Sequence, residues 1–185
     1  GLKENKFGIP SDTVNETYQY AASLPNLEIV GIDCHIGSQL TETKPFVDAL
    51  DRVILMIEQL KGLGINLKHI DIGGGLGVCY KDETPPSVEE YANSMRPALE
   101  KLGLKVYMEP GRSISANAGA LLTKVDLLKP TNHRNFAIID AAMNDLIRPA
   151  LYEAWMDIQS VNPNPDVEVK TWDLVGAICE TGDFL

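Results

Sequence analysis

A rhythm runs through this chain. Over about its first 125 residues, short apolar runs of strand character alternate with longer segments of helical period, and glycine or proline marks most changes. Strands are expected over 27–33 (Leu-Glu-Ile-Val-Gly-Ile-Asp), 67–72 and 104–108. Helices are expected between them. The clearest spans 44–63, where Phe46, Val47, Leu50, Val53, Ile54, Ile57 and Leu60 recur at helical spacing and Gly62 and Gly64 end the run. A second spans 87–102, with Ser87 as N-cap and Glu90 three residues on, a capping-box pattern. A shorter one covers 15–22, with Ser11 or Asp12 as its cap. Repeated β-α-β units with short connections require a parallel sheet, because each strand is followed by a crossover helix.

The rhythm changes between residues 115 and 130. Strands are expected over 120–128, 135–140, 167–170 and 172–179, without a strong helix after each, and Asn162-Pro163-Asn164-Pro165 reads as a loop. The chain therefore reads as α/β followed by a mainly β portion. Its 185 residues are ample for a hydrophobic core but fall short of the roughly 200 that a small (β/α)8 barrel needs.

Charge narrows the function classes. Sixteen basic residues against 26 acidic ones leave a net charge of −10, which lacks the footprint of a nucleic-acid binder. No apolar run is long enough for a transmembrane helix, and the first six residues offer no apolar signal core. Cys34, Cys79 and Cys179 are odd in number and far apart, which gives neither a disulfide framework nor metal-ligand spacing. A reducing cytoplasm is the simplest expectation.

In parallel α/β folds, sites gather where strands end. The first strand runs into Cys34-His35-Ile36-Gly37-Ser38-Gln39, the second into Gly73-Gly74-Gly75-Leu76-Gly77, and the third into Glu109-Pro110-Gly111-Arg112-Ser113. Glycines let backbone amides ring an anion such as a phosphate, although a plain tight turn also uses them. A dinucleotide fingerprint fits poorly, since Val78 stands where its last glycine is needed. Glu109 and Arg112 form either an ion pair or a matched set, the acid facing a cationic ring nitrogen and the base an anion. His35 is either a core histidine or a stacking partner for a flat cofactor. Arg148 and Tyr152 are four apart and share one face if that tract is helical. An arginine there suits bidentate carboxylate binding. Cys179, beside acidic residues at a strand end, is either a buried inert thiol or an acid donor.

Taken in order, Cys34-His35-Ile36-Gly37-Ser38-Gln39, Asp71-Ile72-Gly73-Gly74-Gly75, Glu109-Pro110-Gly111-Arg112, Met143-Asn144-Asp145 with Arg148-Pro149-Ala150-Leu151-Tyr152, and Cys179-Glu180-Thr181-Gly182-Asp183 resemble the diaminopimelate decarboxylases. These are pyridoxal-phosphate-dependent enzymes of the alanine racemase and ornithine decarboxylase-like barrel class. The resemblance implies an α/β fold: the C-terminal part of a (β/α)8 TIM-type barrel over 1–118, then the beginning of a β-rich domain over 119–185. It implies pyridoxal 5'-phosphate as cofactor. His35 would stack on its ring. Ser38, the Gly73, Gly74 and Gly75 loop, and the amides of Gly111 and Arg112 would hold its phosphate. Glu109 would face the ring nitrogen and keep it protonated. A related racemase carries Arg at that place, which argues against racemization. Arg112, Arg148 and Tyr152 would bind substrate carboxylate, Cys179 would protonate the carbanion, and Glu180 would hold the distal amino group. Cys179 and Glu180 would serve the partner's cofactor in a homodimer. The implied reaction takes meso-diaminopimelate to L-lysine and CO2.

Two rivals have features of their own. One is a decarboxylase of a related basic amino acid, of the ornithine or arginine type; ornithine-type relatives carry Asp after the cysteine, where this chain has Glu180. A non-catalytic regulatory relative would be free to lose Glu109, Arg112 or Cys179, and all three are present. The chain also departs from the pattern. Ala142 replaces a usual glycine, a late cofactor-contacting Tyr is missing, and none of the eleven lysines sits in the Tyr-Ala-x-Lys-Ala-like setting of the Schiff-base lysine. The chain on its own is expected to be inactive for that reason.

Overall fold

The computed structural model describes residues 5–185, so the first four positions of the expected barrel part lie outside it. The chain forms two compact units. One comprises the described residues through Cys79 together with Glu83–Gly119; the other comprises Tyr80–Asp82 and Ala120–Leu185.

The first unit is built of β-α-β repeats. Its elements are α1 (Val14–Ser23), β1 (Gly31–Asp33), α2 (Lys44–Gly62), β2 (His69–Asp71), α3 (Val88–Leu102), β3 (Lys105–Tyr107) and the single-turn α4 (Gly111–Ser115). The strands pair in chain order, all parallel, with Asp33 opposite Asp71 and Asp71 opposite Tyr107. Helix α2 buries Phe46, Leu50, Val53, Ile57 and Leu60, while Val47 and Ile54 pack at the edge of the same stripe. That stripe meets Ile32, Ile70 and Ile72 of the sheet layer, and Tyr91 and Met95 of α3. The Phe46 and Tyr91 rings meet edge to face at 4.9 Å.

The capping box at Ser87 forms in full. The Ser87 hydroxyl accepts the Glu90 amide at 3.1 Å, and the Glu90 carboxylate accepts the Ser87 amide at 2.7 Å. These bonds hold the Glu90 carboxyl below its ordinary range. Helix α3 ends on Gly103 at φ +69°, the left-handed cap that a residue with a side chain disfavours.

Several expectations need correction. The N-cap of α1 is Thr13, not Ser11 or Asp12. Its hydroxyl donates to the Pro10 carbonyl, so it caps no helix amide. The strands of the first sheet are three residues long, because the ladder extends only where neighbours run side by side. Residues 27–30 precede that overlap; the Val30 carbonyl already accepts the Lys68 and His69 amides.

The second unit contains β4 (Val125–Pro130), β5 (Asn135–Ile139), α5 (Arg148–Tyr152) and β6 (Asp173–Val175). β4 pairs antiparallel with β5 through one irregularity, and β5 pairs parallel with β6. β4 starts five residues later than its apolar pattern predicts. The expected strand at 167–170 does not form: Val167 and Val169 stand exposed with no neighbouring ladder among the described residues. β6 covers only the start of the expected 172–179 strand, because Gly176 begins a loop that doubles back to a single bridge between Val175 and Phe184. The core of this unit centres on Ala137, Ile139, Ala141 and Ala142, with the Asp183 side chain buried among them.

Candidate functional site

The C-terminal ends of β1, β2 and β3 converge, as a parallel sheet requires. Backbone pairing continues past the strands: Cys34 donates to the Asp71 carbonyl, Ile72 to Tyr107, and Glu109 to Gly73. The loop after β1 is laced to the glycine loop. Leu40 donates to the Gly75 carbonyl, and Gly77 donates back to Leu40, both at 2.9 Å.

The glycines make this convergence possible. A Cβ on Gly74 would lie 2.0 Å from the Glu109 carbonyl oxygen, so only a bare backbone fits between β2 and the loop after β3. Gly73 and Gly75 flank it at φ +65° and +109°. The Gly74 amide donates to His35 Nδ1 at 3.2 Å. That bond fixes the plane of an otherwise exposed imidazole. The Gly73 amide donates to Asp71 Oδ1, and the Gly111 amide to the Glu109 carbonyl. Three amides of the expected phosphate cup are thus engaged in shaping it. Arg112 reaches across from α4: its Nε donates to the Ser38 hydroxyl at 3.1 Å and its Nη1 to Gln39 Oε1 at 3.5 Å. His35, Ser38, Gly73, Gly74, Gly75, Glu109, Gly111 and Arg112 therefore stand on one strand-end face.

Residues that the motif reading did not single out complete this face. Asp33, Asp71 and Glu109 each place a carboxylate oxygen within 4.8 Å of the others. Burial, and then the neighbouring Asp71, push the Asp33 carboxyl up from its ordinary range, with His35 opposing. Such a cluster favours a cation, and a protonated ring nitrogen is one. The signal was present in sequence, since Asp33 and Asp71 end adjacent strands, but the register that sets them side by side was not. Gln39 is another. It holds φ +62°, and its amide bonds the Val78 backbone in both directions, at 2.6 and 3.1 Å.

The second unit carries the remaining expected residues. Arg148 and Tyr152 lie on the short helix α5, as their spacing predicts, with the guanidinium 5.4 Å from the ring centroid. Arg148 Nε is buried without a hydrogen-bond acceptor among the described residues. Cys179 and Glu180 are both exposed on the loop after β6, so the inert buried-thiol reading of Cys179 does not hold. The loop between β5 and α5 is tied down by carboxylates. Asp140 accepts from the Thr123 hydroxyl and the Lys124 amide, which hold its carboxyl below the usual range. Asp145 accepts the Ala142 amide. Ala142, the departure from the usual glycine, is buried against Gly176, and the methyl is accommodated because residue 176 has no side chain. No helix of the described residues is long and apolar enough to cross a membrane.

Comparison with known proteins agrees with this geometry. A family model described as pyridoxal-dependent decarboxylase, pyridoxal binding domain, matches residues 1–116. Diaminopimelate decarboxylases of Pseudomonas aeruginosa and Vibrio cholerae are each 58% identical over the whole of this chain. The chain spans 44% of the length of each. Among solved structures, a Helicobacter pylori diaminopimelate decarboxylase complexed with L-lysine superposes with a TM-score of 0.91 at 40% identity. It matches all of this chain, which covers 45% of that structure.

Proposed function

The chain belongs to the pyridoxal-dependent decarboxylases, and from that membership we propose that it carries part of the active site of an enzyme converting meso-diaminopimelate to L-lysine and CO2. The observation that carries the substrate assignment is the 58% identity to diaminopimelate decarboxylases over the whole of this chain. The barrel part is assigned to 1–118 and the β-rich part to 119–185.

The residues present suit pyridoxal 5'-phosphate. A glycine loop at the strand ends, an exposed imidazole of fixed plane, a guanidinium beside a hydroxyl and a cluster of carboxylates match a flat ring with an anionic arm and a basic nitrogen. When bound, the cofactor supplies a protonated aromatic ring that takes up the electron pair left as CO2 departs. This chain's residues do the rest. His35 would stack on the ring face. Glu109 would face the ring nitrogen and hold its proton, with Asp33 and Asp71 adding acidic groups beside it. Ser38, Arg112, Gly111 and the Gly73–Gly75 loop take the phosphate. The Gly73, Gly74 and Gly111 amides already donate within the protein, so the anion draws first on Arg112 and Ser38.

Arg112, Arg148 and Tyr152 bind substrate carboxylate; the buried Nε of Arg148, with no acceptor among the described residues, supports this. Glu180 pairs with the distal ammonium, and Cys179 delivers the proton to the carbon that lost CO2. Their exposure on one loop suits service to a second subunit, hence a homodimer with shared sites. Three cysteines held as thiols fit a cytoplasmic setting.

The test is to express the complete reading frame containing this chain and supply cofactor with meso-diaminopimelate, ornithine or arginine. CO2 and lysine from diaminopimelate are expected, with Glu109→Gln nearly inactive. CO2 from ornithine or arginine alone would overturn the substrate assignment.

A further inference from the structure

Asp183 is the sole polar or charged residue among the buried residues described, with 3% of its surface exposed. It contacts no atom assigned to the reaction. Its two carboxylate oxygens nevertheless bridge two segments that carry such atoms. Oδ1 accepts the Met143 amide at 2.6 Å, in the segment that leads through Asn144 and Asp145 to Arg148. Oδ2 accepts the Ile178 amide at 2.9 Å, the residue immediately before Cys179. Its backbone closes the same loop: the Asp183 carbonyl accepts Gly176 N–H and the Asp183 amide donates to the Glu180 carbonyl, both at 3.2 Å.

The chemistry of this bridge is specific. Both partners are donors, so both side-chain oxygens must accept. A carboxylate can do that, whereas an amide offers one acceptor and one donor. Space is equally restricted. A Cβ at Gly176 would lie 2.4 Å from Asp183 Oδ2 and 2.5 Å from the Ala142 Cβ, so the carboxylate occupies the place of a missing side chain. Because these bonds join a buried carboxylate to part-buried amides, removing one leaves an amide without its partner.

We propose that Asp183 is a positioning residue: its buried carboxylate fixes the Cys179–Glu180 loop to the segment leading to Arg148, and so sets the placement of the proton donor that serves the partner's site and, in this subunit, of Arg148. This rests on the function proposed above. A buried carboxylate that only helps folding would change how much active protein is present. One that positions these groups changes the kinetics of each folded molecule.

The test uses the enzyme from the complete reading frame. Asp183→Asn keeps the size and turns one acceptor into a donor facing an N–H. Gly176→Ala leaves the carboxylate intact and displaces it. Each is expected to lower kcat by about 10- to 100-fold, the scale of an ångström-level misplacement, and to raise KM several-fold. Cofactor affinity, set on the first unit, is expected to stay unchanged. A smaller active fraction lowers kcat alone, so unchanged KM with reduced kcat overturns the proposal, as does kcat within twofold of wild type. Hydrogen exchange supplies an independent readout: the Met143 and Ile178 amides are expected to be protected in wild type and to lose protection together in Asp183→Asn. If neither variant folds, unprotected exchange at both amides in wild type overturns the proposal, and protection at both supports it. If wild type does not decarboxylate diaminopimelate, the function has failed, and the paired exchange decides the bridge alone.

Discussion

Substituting Gly74 by alanine is the sharpest test of how the strand ends are assembled. The added Cβ would sit 2.0 Å from the Glu109 carbonyl oxygen and 3.0 Å from its carbonyl carbon. Ordinary contact begins near 3.4 Å, so the loop after β3 must move by about 1.4 Å. Both partners are backbone, and no side chain can rotate away. Gly74 is not at positive φ, so the effect is one of space alone. Overpacking of this kind costs about 1–3 kcal/mol of stability. The displaced residue is Glu109 itself, and a shift near 1 Å costs on the order of 100-fold in rate.

Gly111→Ala is the internal control. A Cβ there meets nothing within 4 Å, the amide is retained, and alanine suits the first turn of α4. The complete enzyme carrying each change would be compared by cofactor titration, thermal melting and CO2 release from diaminopimelate. Gly74→Ala is expected to melt lower, weaken cofactor binding and lower turnover about 100-fold, while Gly111→Ala, whose Cβ meets no protein atom, melts as wild type does. Wild-type cofactor affinity and turnover in Gly74→Ala would refute the packing argument. Equal damage in the two variants would show that glycine is needed here for another reason.

Two further outcomes follow from local physics. Ser87→Ala removes one half of the reciprocal cap on α3 and is expected to cost about 1 kcal/mol in a denaturant melt; Ser87→Thr restores most of it, and equal loss in both variants would contradict the cap. Asp33 binds its proton more tightly folded than unfolded, so its contribution to stability is fully present below the unfolded carboxylate pKa of about 3.9 and is lost as pH rises through the raised folded value. Asp33→Asn is therefore expected to gain stability over wild type at pH 7 and to lose that advantage near pH 3.5, and melts showing the same difference at both pH values would refute the assignment.

The motifs themselves were legible from spacing alone. The α2 stripe, the Ser87–Glu90 cap and the Arg148–Tyr152 pair depend on residues within one or two helical turns, so local chemistry settles them. The short strands were not legible, because a strand ends where its neighbour ends, and the neighbour lies some 35 residues away in the chain. The same limit hid the loss of the strand expected at 167–170.

Crossover helices force every strand to point the same way, so the local pattern was enough to bring His35, the glycine run and Glu109 to one edge of three parallel strands. What meets at that edge came from packing. Register set Asp33 beside Asp71, the loop after β3 came close enough that Gly74 admits no side chain, and a chain reversal after β6 brought the Asp183 carboxylate to an amide 40 residues away. Periodicity reports which face a residue takes. Distances between segments come from packing, and packing is settled only when the whole unit has closed.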